Sequence, residues 1–600
     1  MILEGLERMA GGCIRIMKES CFFKRFSHLP PDYERATRQK VSWQKTLASR
    51  RRVLLWHENN RWRNLGRAIF RWFLQGSLGS VGVSFLLMGA FSLAGCWIWG
   101  RPSLLSARFL SSAVLFLCAV PLLGSRESCG YGIRKGRLFG GLLLGFCKLP
   151  ETLFETEKTG KKRWGWSLLL GVIGGLAAIL FHPVYVLLAL GVPILFALLL
   201  SVPELALLCV LAGVPFCNLA MHPTGVLFLG LAFCGVAWLG KATSGKRQTE
   251  FGRVDLCVAL FALTFLFGGL FSWGGRESLW TGGMRAFLLL LSWFPVRGLL
   301  SSSSWRSRCV SALLLSAFFV SLYGIWQYVM GKAELAWVDL SRFSDIGGRV
   351  CSVFKNPNML AVFLLLTLPI SLGEAWGAQS FGRRVWMWTV FFAEGLCLVF
   401  TWSRGAWLGG IAAVLLFFLF HSARSLALLF LSPIPMLSAA LYLPRAVLHR
   451  FLGIAGISDS SARYRLYTWR GALRMIRARP FGIGVGDAAY HAVYPLYAVS
   501  GTERVMHAHQ LFLQIAIETG LPSLLLFLFI LYRLARRVAA FLANTEYAVA
   551  RARVLGSAVA LVGGLIMGLF DCIWYHPALF ALFWIVAALL FADTEKGGAR

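Results

Sequence analysis

Arginine is concentrated in one segment of this chain, between residues 445 and 508. Its central sequence, RYRLYTWRGALRMIRARP (463–480), holds six arginines and no lysine. A guanidinium group stays charged and binds phosphate oxygens through two parallel hydrogen bonds, which an ammonium group cannot do. The preference for arginine therefore predicts a ligand that carries phosphate.

Helical periodicity separates one of these arginines, Arg465, from the others. Arg465 falls on an apolar face that also carries Trp469, Leu473 and Ile476. The opposite face of the helix carries four of the other five arginines, namely Arg463, Arg470, Arg474 and Arg477. A charged face of this kind is typical of a solvated or headgroup-binding surface. An arginine on an apolar face needs a partner or a substrate, so Arg465 is the candidate ligand-binding residue.

Alternating glycines follow the arginine-rich helix in the sequence PFGIGVGD (480–487). Glycine allows the backbone to come close to a ligand or to a neighbouring helix. Gly484 and Gly486 are therefore candidate substrate-binding positions. The dinucleotide-binding GxGxxG motif does not apply, because no strand precedes these glycines.

Two histidines, His507 and His509, lie in the sequence MHAHQ (506–510), where the same segment enters an apolar run. An imidazole titrates near neutral pH and can accept a proton from a hydroxyl, so either residue suits general-base catalysis beside a phosphate site. His507 could instead cap the following helix, and Gln510 is a further candidate substrate contact. No metal is predicted, because neither a carboxylate nor a cysteine accompanies the histidines at ligand spacing.

Other polar residues interrupt the apolar runs upstream. Arg404 lies in TWSRGAW (401–407), between two adjacent apolar runs, and is a candidate site residue. The alternative is that its side chain only reaches the membrane interface, as arginines at helix ends often do. Arg349, Asn356 and Asn358 precede another run and are candidate substrate contacts.

Two carboxylates lie inside apolar runs, at Glu394 and Glu518. Intramembrane carboxylates are functional candidates, and we expect both to support the site. Glu394, in particular, could orient an arginine. Trp469 is a further supporting candidate because it shares the face of Arg465.

Membrane helices must position all these residues. The chain of 600 residues is 57% hydrophobic and only 14% charged, with a mean hydropathy of +0.67, far outside the soluble range. We predict an all-α, polytopic transmembrane helical bundle of about 14–16 spans with a long, partly helical extracytoplasmic loop. The candidate spans lie near residues 77–99, 104–124, 166–181, 184–201, 203–219, 222–240, 254–273, 283–298, 308–330, 358–374, 385–402, 405–421, 424–443, 509–532, 553–572 and 575–593.

Lysine and arginine in the short loops predict the orientation of the bundle. The basic loops alternate with turns that carry little positive charge, and they lie at 125–165, 241–253, 297–308, 376–385, 421–424 and 533–552. With both termini in the cytoplasm, the turns 272–283 and 571–577 face outward. The long segments 331–357 and 445–508 then also face outward, together with Arg404. Long loops can cross a membrane whatever their charge, so the arginines of 445–508 are compatible with this side.

The first 75 residues are basic, with sixteen lysines and arginines against six acids. We expect a cytoplasmic segment that binds anionic lipid headgroups, followed by an N-terminal transmembrane region (76–250) and a catalytic transmembrane region (251–600). The net charge of +33 does not indicate nucleic-acid binding, because basic residues of a polytopic protein gather in its loops. The fourteen cysteines lack metal-ligand spacing and are typical of small apolar residues.

Four sequences in chain order carry a resemblance to a known family: GGRVCSVFKNPNMLA, TWSRGAW, RLYTWRGALRMIRARPFGIGVG and HAHQLFLQIAIETGL. Over roughly residues 255–592 the chain resembles the O-antigen ligase and O-antigen polymerase family of membrane glycosyltransferases. The resemblance places the family's arginines at Arg404 and Arg465 and its histidine at His509. The family histidine usually precedes Asn or a small polar residue, whereas Gln510 follows here, so His507 stays an alternative.

The resemblance implies transfer of a glycan from a polyprenyl diphosphate to an acceptor hydroxyl on a glycan, lipid or protein. This chemistry takes place on the outer face of the bacterial plasma membrane and uses neither a metal, a cofactor nor a nucleotide sugar. Arg404 and Arg465, with Arg349 as a third candidate, would bind the diphosphate and stabilise it as a leaving group. His509 would deprotonate the acceptor, and the configuration at the anomeric carbon would invert.

Three alternatives remain at this point. A ligase and a polymerase differ only in their acceptor, which one sequence does not distinguish. A lipid-linked-sugar flippase or another polysaccharide transporter would carry polar residues along a central path and often an internal repeat, neither of which the sequence displays. In a structural or sensing membrane protein, the arginines and histidines would be incidental.

Overall fold

A computed structural model describes most of the chain. The described residues are 61–98, 107–146, 151–180, 186, 198–199, 202–219, 223–243, 251–300, 302–332, 348–422, 460–503 and 505–596. Residues 1–60, the predicted span 424–443 and most of the predicted span 184–201 lie outside them. Within these ranges the chain is helical and forms no β-strand, which confirms the all-α prediction.

The described residues divide into two compact units, the first ending at residue 206 and the second beginning at residue 207. The helices of the first unit are α1 (Arg61–Gln75), α2 (Leu78–Ile98), α3 (Ala107–Leu123), α4 (Cys129–Lys135), α5 (Arg137–Gly140) and α6 (Trp164–Leu180). Helices α3 and α6 both pack on α2 through small residues. A Cβ at Gly89 would lie 2.9 Å from the backbone of Phe116, and one at Gly175 would lie 2.8 Å from Phe91. Close packing at small residues is typical of membrane helices, which gain little hydrophobic energy from associating in lipid.

Helix α7 (Pro203–Gly213) includes residues of both units, and the described part of the second unit contains thirteen further helices. They are α8 (Pro223–Thr243), α9 (Arg253–Leu270), α10 (Gly275–Leu299), α11 (Ser303–Val329), α12 (Pro357–Trp376), α13 (Phe381–Phe400), α14 (Arg404–His421), α15 (Ser460–Ala478), α16 (Asp487–Val493), α17 (Leu511–Thr519), α18 (Leu521–Asn544), α19 (Ala548–Gly568) and α20 (Pro577–Lys596). In the described part of the chain, nine helices are long and apolar enough to cross a membrane.

Helices α12 and α20 form the centre of the second unit. Their apolar stretches are 94% and 89% buried, which accords with helices that are apolar on every side. Glycines allow the neighbours of α12 to pack closely: a Cβ at Gly373 would lie 2.5 Å from a backbone oxygen of α19. This central packing fixes the helix ends from which the candidate site is built.

The predicted span 509–532 is wrong as a single helix, because it consists of α17 and α18 with a break at Gly520. Gly520 has φ +90°, and a Cβ there would lie 2.7 Å from the backbone carbon of Phe481. Only glycine fits both the left-handed backbone and the passing loop. The predicted outward turn 272–283 is also too long, since α10 begins at Gly275.

Helix α15 confirms the separation of the arginines but corrects one residue of the predicted apolar face. Leu473 is 47% exposed, whereas the buried row consists of Thr468, Ala472, Met475 and Ile476. Arg465 lies three residues before Thr468 and therefore extends this row. The buried face of α15 is thus rotated slightly about the helix axis relative to the predicted apolar face. The opposite face is exposed, as expected, at Arg463, Arg470, Arg474 and Arg477.

Candidate active site

Four connecting segments of the second unit meet at one place. They are residues 348–356 before α12, 401–403 between α13 and α14, 505–510 before α17, and 569–576 between α19 and α20. Each ends directly before the first residue of a helix, so the helix packing fixes that end of the segment. Together they hold three of the predicted site segments and one predicted outward turn in which the sequence predicted no site residue.

Asp571, in the turn 569–576, lies at the centre of this arrangement. Its carboxylate is 6% exposed, and its Oδ1 lies 3.3 Å from His509 Nδ1 and 3.6 Å from His507 Nε2. The backbone N–H of Cys572 donates to the same oxygen at 2.9 Å. Asn358 Nδ2 donates to the other oxygen, Oδ2, at 2.8 Å. Asp571 thus joins both candidate histidines to the start of α12.

Arg349 supports this centre indirectly, through Asn358. It is 7% exposed, its Nε donates to the carbonyl oxygen of Thr401 at 2.8 Å, and its Nη2 donates to Asn358 Oδ1 at 2.7 Å. The guanidinium therefore ties the segment 401–403 to the residue that holds Asp571. This geometry favours a positioning role for Arg349 over direct contact with a substrate. The predicted contact of Arg349 with a substrate stays a prediction.

Arg404 is the first residue of α14 and is half-buried. The next residue, Gly405, packs against Phe570, since a Cβ there would lie 3.1 Å from the Phe570 Cβ. Arg404 therefore begins a helix whose first turn adjoins the turn that carries Asp571. The free N–H groups at the start of a helix favour a bound anion.

Arg465 approaches the site from α15. It is half-buried and forms no ion pair with any residue in the described ranges. Its charge is close enough to His509 to lower the pKa of that imidazole. The guanidinium predicted to bind a substrate thus acts on the histidine predicted to be the base.

The surroundings of Asp571 and His509 favour an ionised carboxylate and a neutral imidazole. Burial lowers the pKa of His509, as do the charges of His507 and Arg465, and these effects outweigh the hydrogen bond to Asp571. Burial alone would raise the pKa of Asp571, but its contacts with His507 and His509 hold that pKa well below the usual range. At neutral pH Asp571 is therefore ionised and His509 neutral. The network assigns the His509 proton to Nδ1, which leaves Nε2 free to accept another.

Backbone strain is concentrated in the same segments. Among the described residues, the non-glycine positions with positive φ are Ser352, Lys355, Trp402 and His509. All four lie in segments that build the site. Such conformations are costly and persist where the surrounding structure enforces them, often at functional sites.

Two predicted substrate contacts prove to be helix caps. Asn356 accepts hydrogen bonds from the first turn of α12, and Gln510 accepts one from the N–H of Leu513 in α17. The cap of α17 is thus Gln510, so the capping alternative for His507 is wrong. Substrate binding by Asn356 and Gln510 is untested.

The glycine loop packs against protein at both predicted positions. Gly484 has φ +114°, and a Cβ there would lie 1.7 Å from Ser272 Oγ; a Cβ at Gly486 would lie 3.1 Å from Thr281. The close approach at Gly486 is to helix α10, the second of the two predicted uses, whereas Gly484 approaches the turn that precedes α10. Contact of these glycines with a substrate is untested.

The two intramembrane carboxylates have different surroundings. Glu518 accepts hydrogen bonds from Arg285 in α10 and, at 3.1 Å, from the N–H of Gly486, so it fastens the glycine loop. Glu394 is fully buried and accepts from Ser371 at 2.6 Å. Within the described ranges Glu394 contacts no arginine, contrary to our expectation. Trp469 is half-buried, and its Nε1 has no hydrogen-bond partner there.

Sequence reasoning missed Asp571, Tyr575 and Asp487 as site residues. The Tyr575 ring stacks on His507 with centroids 4.9 Å apart, and its hydroxyl donates to Asp487 at 3.1 Å. The turn DCIWYHP carries an acid, a tyrosine and a histidine on the predicted outer side, and this composition could have signalled it. His507, His509 and Asp571 also offer three donor atoms within 4.8 Å of one another, which could hold a metal ion.

Comparison with known proteins assigns part of this region. No curated protein matches the chain. Residues 387–528 match the family model described as O-antigen ligase. The matched region includes Arg404, Arg465, His507 and His509, whereas Asp571 lies beyond it. The chain thus carries an O-antigen ligase domain, which supports its place in an O-antigen ligase-like family of multi-pass membrane proteins.

Proposed function

We propose that this protein transfers a glycan from a polyprenyl diphosphate carrier to an acceptor hydroxyl on the outer face of the bacterial plasma membrane. The observation that carries the proposal is the pairing of His509 with Asp571 beside an arginine that has no acidic partner in the described ranges. The family description adds support for a glycosyl-transferring enzyme and favours a ligase over a polymerase.

His509 acts as the general base. Its Nε2 takes the proton of the acceptor hydroxyl while Nδ1–H stays bonded to Asp571, which lies 3.3 Å away. The ionised carboxylate keeps the imidazole in this tautomer and stabilises the imidazolium that forms. His509 is 28% exposed and His507 only 13%, so His509 offers the more accessible ring. The geometry therefore favours His509 over His507 as the base.

Arg465 and Arg404 bind the diphosphate. As the acceptor oxygen forms its bond to the anomeric carbon, the bond from that carbon to the diphosphate oxygen breaks. The electron pair leaves with the diphosphate, and guanidinium groups placed at that oxygen stabilise the developing charge. Attack and departure on opposite faces of the carbon invert its configuration. The first turn of α14 adds N–H groups to the same anion-binding region.

Arg349 serves the reaction indirectly. It holds Asn358, and Asn358 holds Asp571, so the guanidinium keeps the carboxylate directed at His509. A rigid arrangement of this kind places the base before the substrate arrives, which lowers the cost of orientation. The proposed reaction requires no metal, because the guanidinium groups stabilise the negative charge of the leaving diphosphate.

The first test compares two histidines of the same outer segment. His509→Ala should reduce transfer from a lipid-diphosphate glycan by roughly 10²–10⁴-fold, the range expected for loss of a general base. His491 is exposed and lies in α16, so His491→Ala is the matched control and should transfer normally. Normal transfer by His509→Ala would exclude it as the base.

The second test compares two arginines of α15. Arg465→Lys keeps the charge but loses the planar, two-pronged donor, and we expect transfer to fall about 10²–10³-fold. Arg470→Lys changes an exposed residue of the opposite face and should have no effect. The assay is carried out in detergent without sealed vesicles, so it detects transfer and not transport. An inactive wild-type enzyme that moves the lipid across vesicles would instead support a transporter.

A further inference from the structure

We infer that His507, His509 and Asp571 bind one divalent transition-metal ion, of which zinc is the best fit, and that the bound ion blocks glycan transfer. The binding half of this inference stands on geometry alone. The blocking half rests on the proposed function, because it requires His509 to be the base.

The donor atoms have nearly the spacing of a tetrahedral zinc site. Zinc binds imidazole nitrogen and carboxylate oxygen at about 2.0–2.2 Å, so two ligands of a tetrahedral ion are about 3.3–3.5 Å apart. Asp571 Oδ1 lies 3.3 Å from His509 Nδ1 and 3.6 Å from His507 Nε2. All three donor atoms lie within 4.8 Å of one another. Small rotations of the imidazoles would complete the site.

The donor types distinguish between metals. Two imidazole nitrogens with one carboxylate suit zinc and its transition-metal neighbours, whereas magnesium and calcium prefer sites built from oxygen. Three protein ligands leave a fourth position for water, as in open zinc sites. The partly exposed ring of His509, at 28%, places that position on the accessible side of the cluster.

The surroundings of Asp571 also suit a metal ligand. Asn358 Nδ2 donates a hydrogen bond to Asp571 Oδ2 at 2.8 Å, so the carboxylate presents Oδ1 toward both histidines. Arg349 fixes Asn358 in turn. Metal-binding carboxylates are usually held by such secondary hydrogen bonds, which orient the donor oxygen.

A bound ion would disable the base by geometry. It would take the place of the hydrogen bond between His509 Nδ1 and Asp571 Oδ1, which orients the imidazole for the acceptor. Nδ1 would give up its proton to bind the ion, and the neutral ring would then carry its hydrogen on Nε2, the nitrogen that must accept the proton of the acceptor hydroxyl. The water in its fourth position would occupy space that the acceptor hydroxyl needs. Zinc should therefore act as an inhibitor that competes with the acceptor, although the reaction itself uses no metal.

Calorimetry on the purified full-length chain in detergent tests the binding half. We expect one zinc ion per chain and no heat of binding with magnesium chloride. His507→Ala and Asp571→Asn should each weaken zinc binding by at least about tenfold. His491→Ala removes an exposed histidine outside the cluster and should bind zinc like the wild type. Equal zinc affinity in the wild type and in His507→Ala would overturn the site.

Thermal unfolding shows whether a variant fails to bind zinc merely because it is unfolded. Zinc should raise the melting temperature of the wild type, because an ion that binds only the folded chain stabilises it. Without zinc, His507→Ala should unfold cooperatively, which shows that the variant is folded. A zinc-induced rise of the same size in this variant would contradict the site.

Transfer assays test the blocking half. Zinc should inhibit the wild type, a chelator should reverse the inhibition, and whatever transfer His507→Ala retains should need at least about tenfold more zinc for half-inhibition. Zinc binding without inhibition would overturn the blocking half. Absence of transfer by the wild type under every condition would instead contradict the proposed function, while calorimetry would still decide the site.

Discussion

The substitution Asp571→Asn tests the reasoning about the site most directly, because it changes one carboxylate oxygen and almost no volume. In the protein, Oδ2 accepts a hydrogen bond from Asn358, and Oδ1 faces His509 Nδ1 and the N–H of Cys572. An asparagine that keeps the hydrogen bond from Asn358, whose amide is fixed by Arg349, accepts it with its carbonyl oxygen. Its amide group then faces His509 and the Cys572 N–H, so donors meet donors.

This geometry predicts two separate losses. His509 can accept the amide hydrogen only at Nδ1, which moves its own proton to Nε2 and removes the base. Loss of the correct tautomer costs roughly 10³–10⁴-fold in kcat where an aspartate orients a catalytic histidine. The Cys572 N–H loses its buried acceptor, which costs about 1–3 kcal/mol of unfolding free energy.

The assay measures kcat and KM for the lipid-linked donor in detergent, together with thermal unfolding. We expect kcat to fall by roughly 10³–10⁴-fold and the donor KM to change little, since the arginines proposed to bind the diphosphate are untouched. Glu503→Gln alters an exposed acid that accepts hydrogen bonds from the nearby Gly501 N–H, and it should behave as wild type. A folded Asp571→Asn variant with kcat near the wild-type value would refute the role of the carboxylate.

Three further substitutions test the supporting structure. Gly520→Ala should lower the unfolding free energy by about 1–3 kcal/mol, because it forces a left-handed alanine against a neighbouring backbone. The control is Gly382→Ala, since a Cβ at Gly382 meets open space. In the same thermal-unfolding measurement, Gly382→Ala should not destabilise the fold. Arg285→Ala leaves its buried carboxylate partner in α17 unpaired and should cost about 3–5 kcal/mol, measured by denaturant titration in detergent; an unchanged midpoint would contradict the pairing. Arg349→Lys retains the charge but cannot reach both of its acceptors, so kcat should fall while the donor KM stays constant; a rise in KM alone would assign Arg349 to substrate binding.

Much of the site followed from residue type and order. Apolar runs predicted the helices, and alternation of basic loops placed Arg349, Arg404 and His509 on one side, where the structure brings their segments together. These predictions depend on local composition, which is what a linear sequence records. The helical phase of α15 was also nearly right, because Arg465 extends its buried row.

The remaining features depend on contacts between distant parts of the chain. Asp571 is 62 residues from His509 along the sequence, and no local pattern connects them. The break at Gly520 follows from the loop that passes beside it, so the apolar run across 509–532 gave no sign of it. Leu473 was misplaced because the side of α15 that is buried depends on where α16 and α17 pack.

The dispersal of the site along the chain limits how it can be exchanged between proteins. The matched region 387–528 contains the proposed base and both arginines that are proposed to bind the diphosphate, but the carboxylate and the residues that hold it come from before and after that region. A chimera that receives residues 387–528 alone would inherit a histidine without its own orienting partner. Transplanting activity between relatives should therefore require a continuous segment from Arg349 through Tyr575, and recombination within that interval should often inactivate the product.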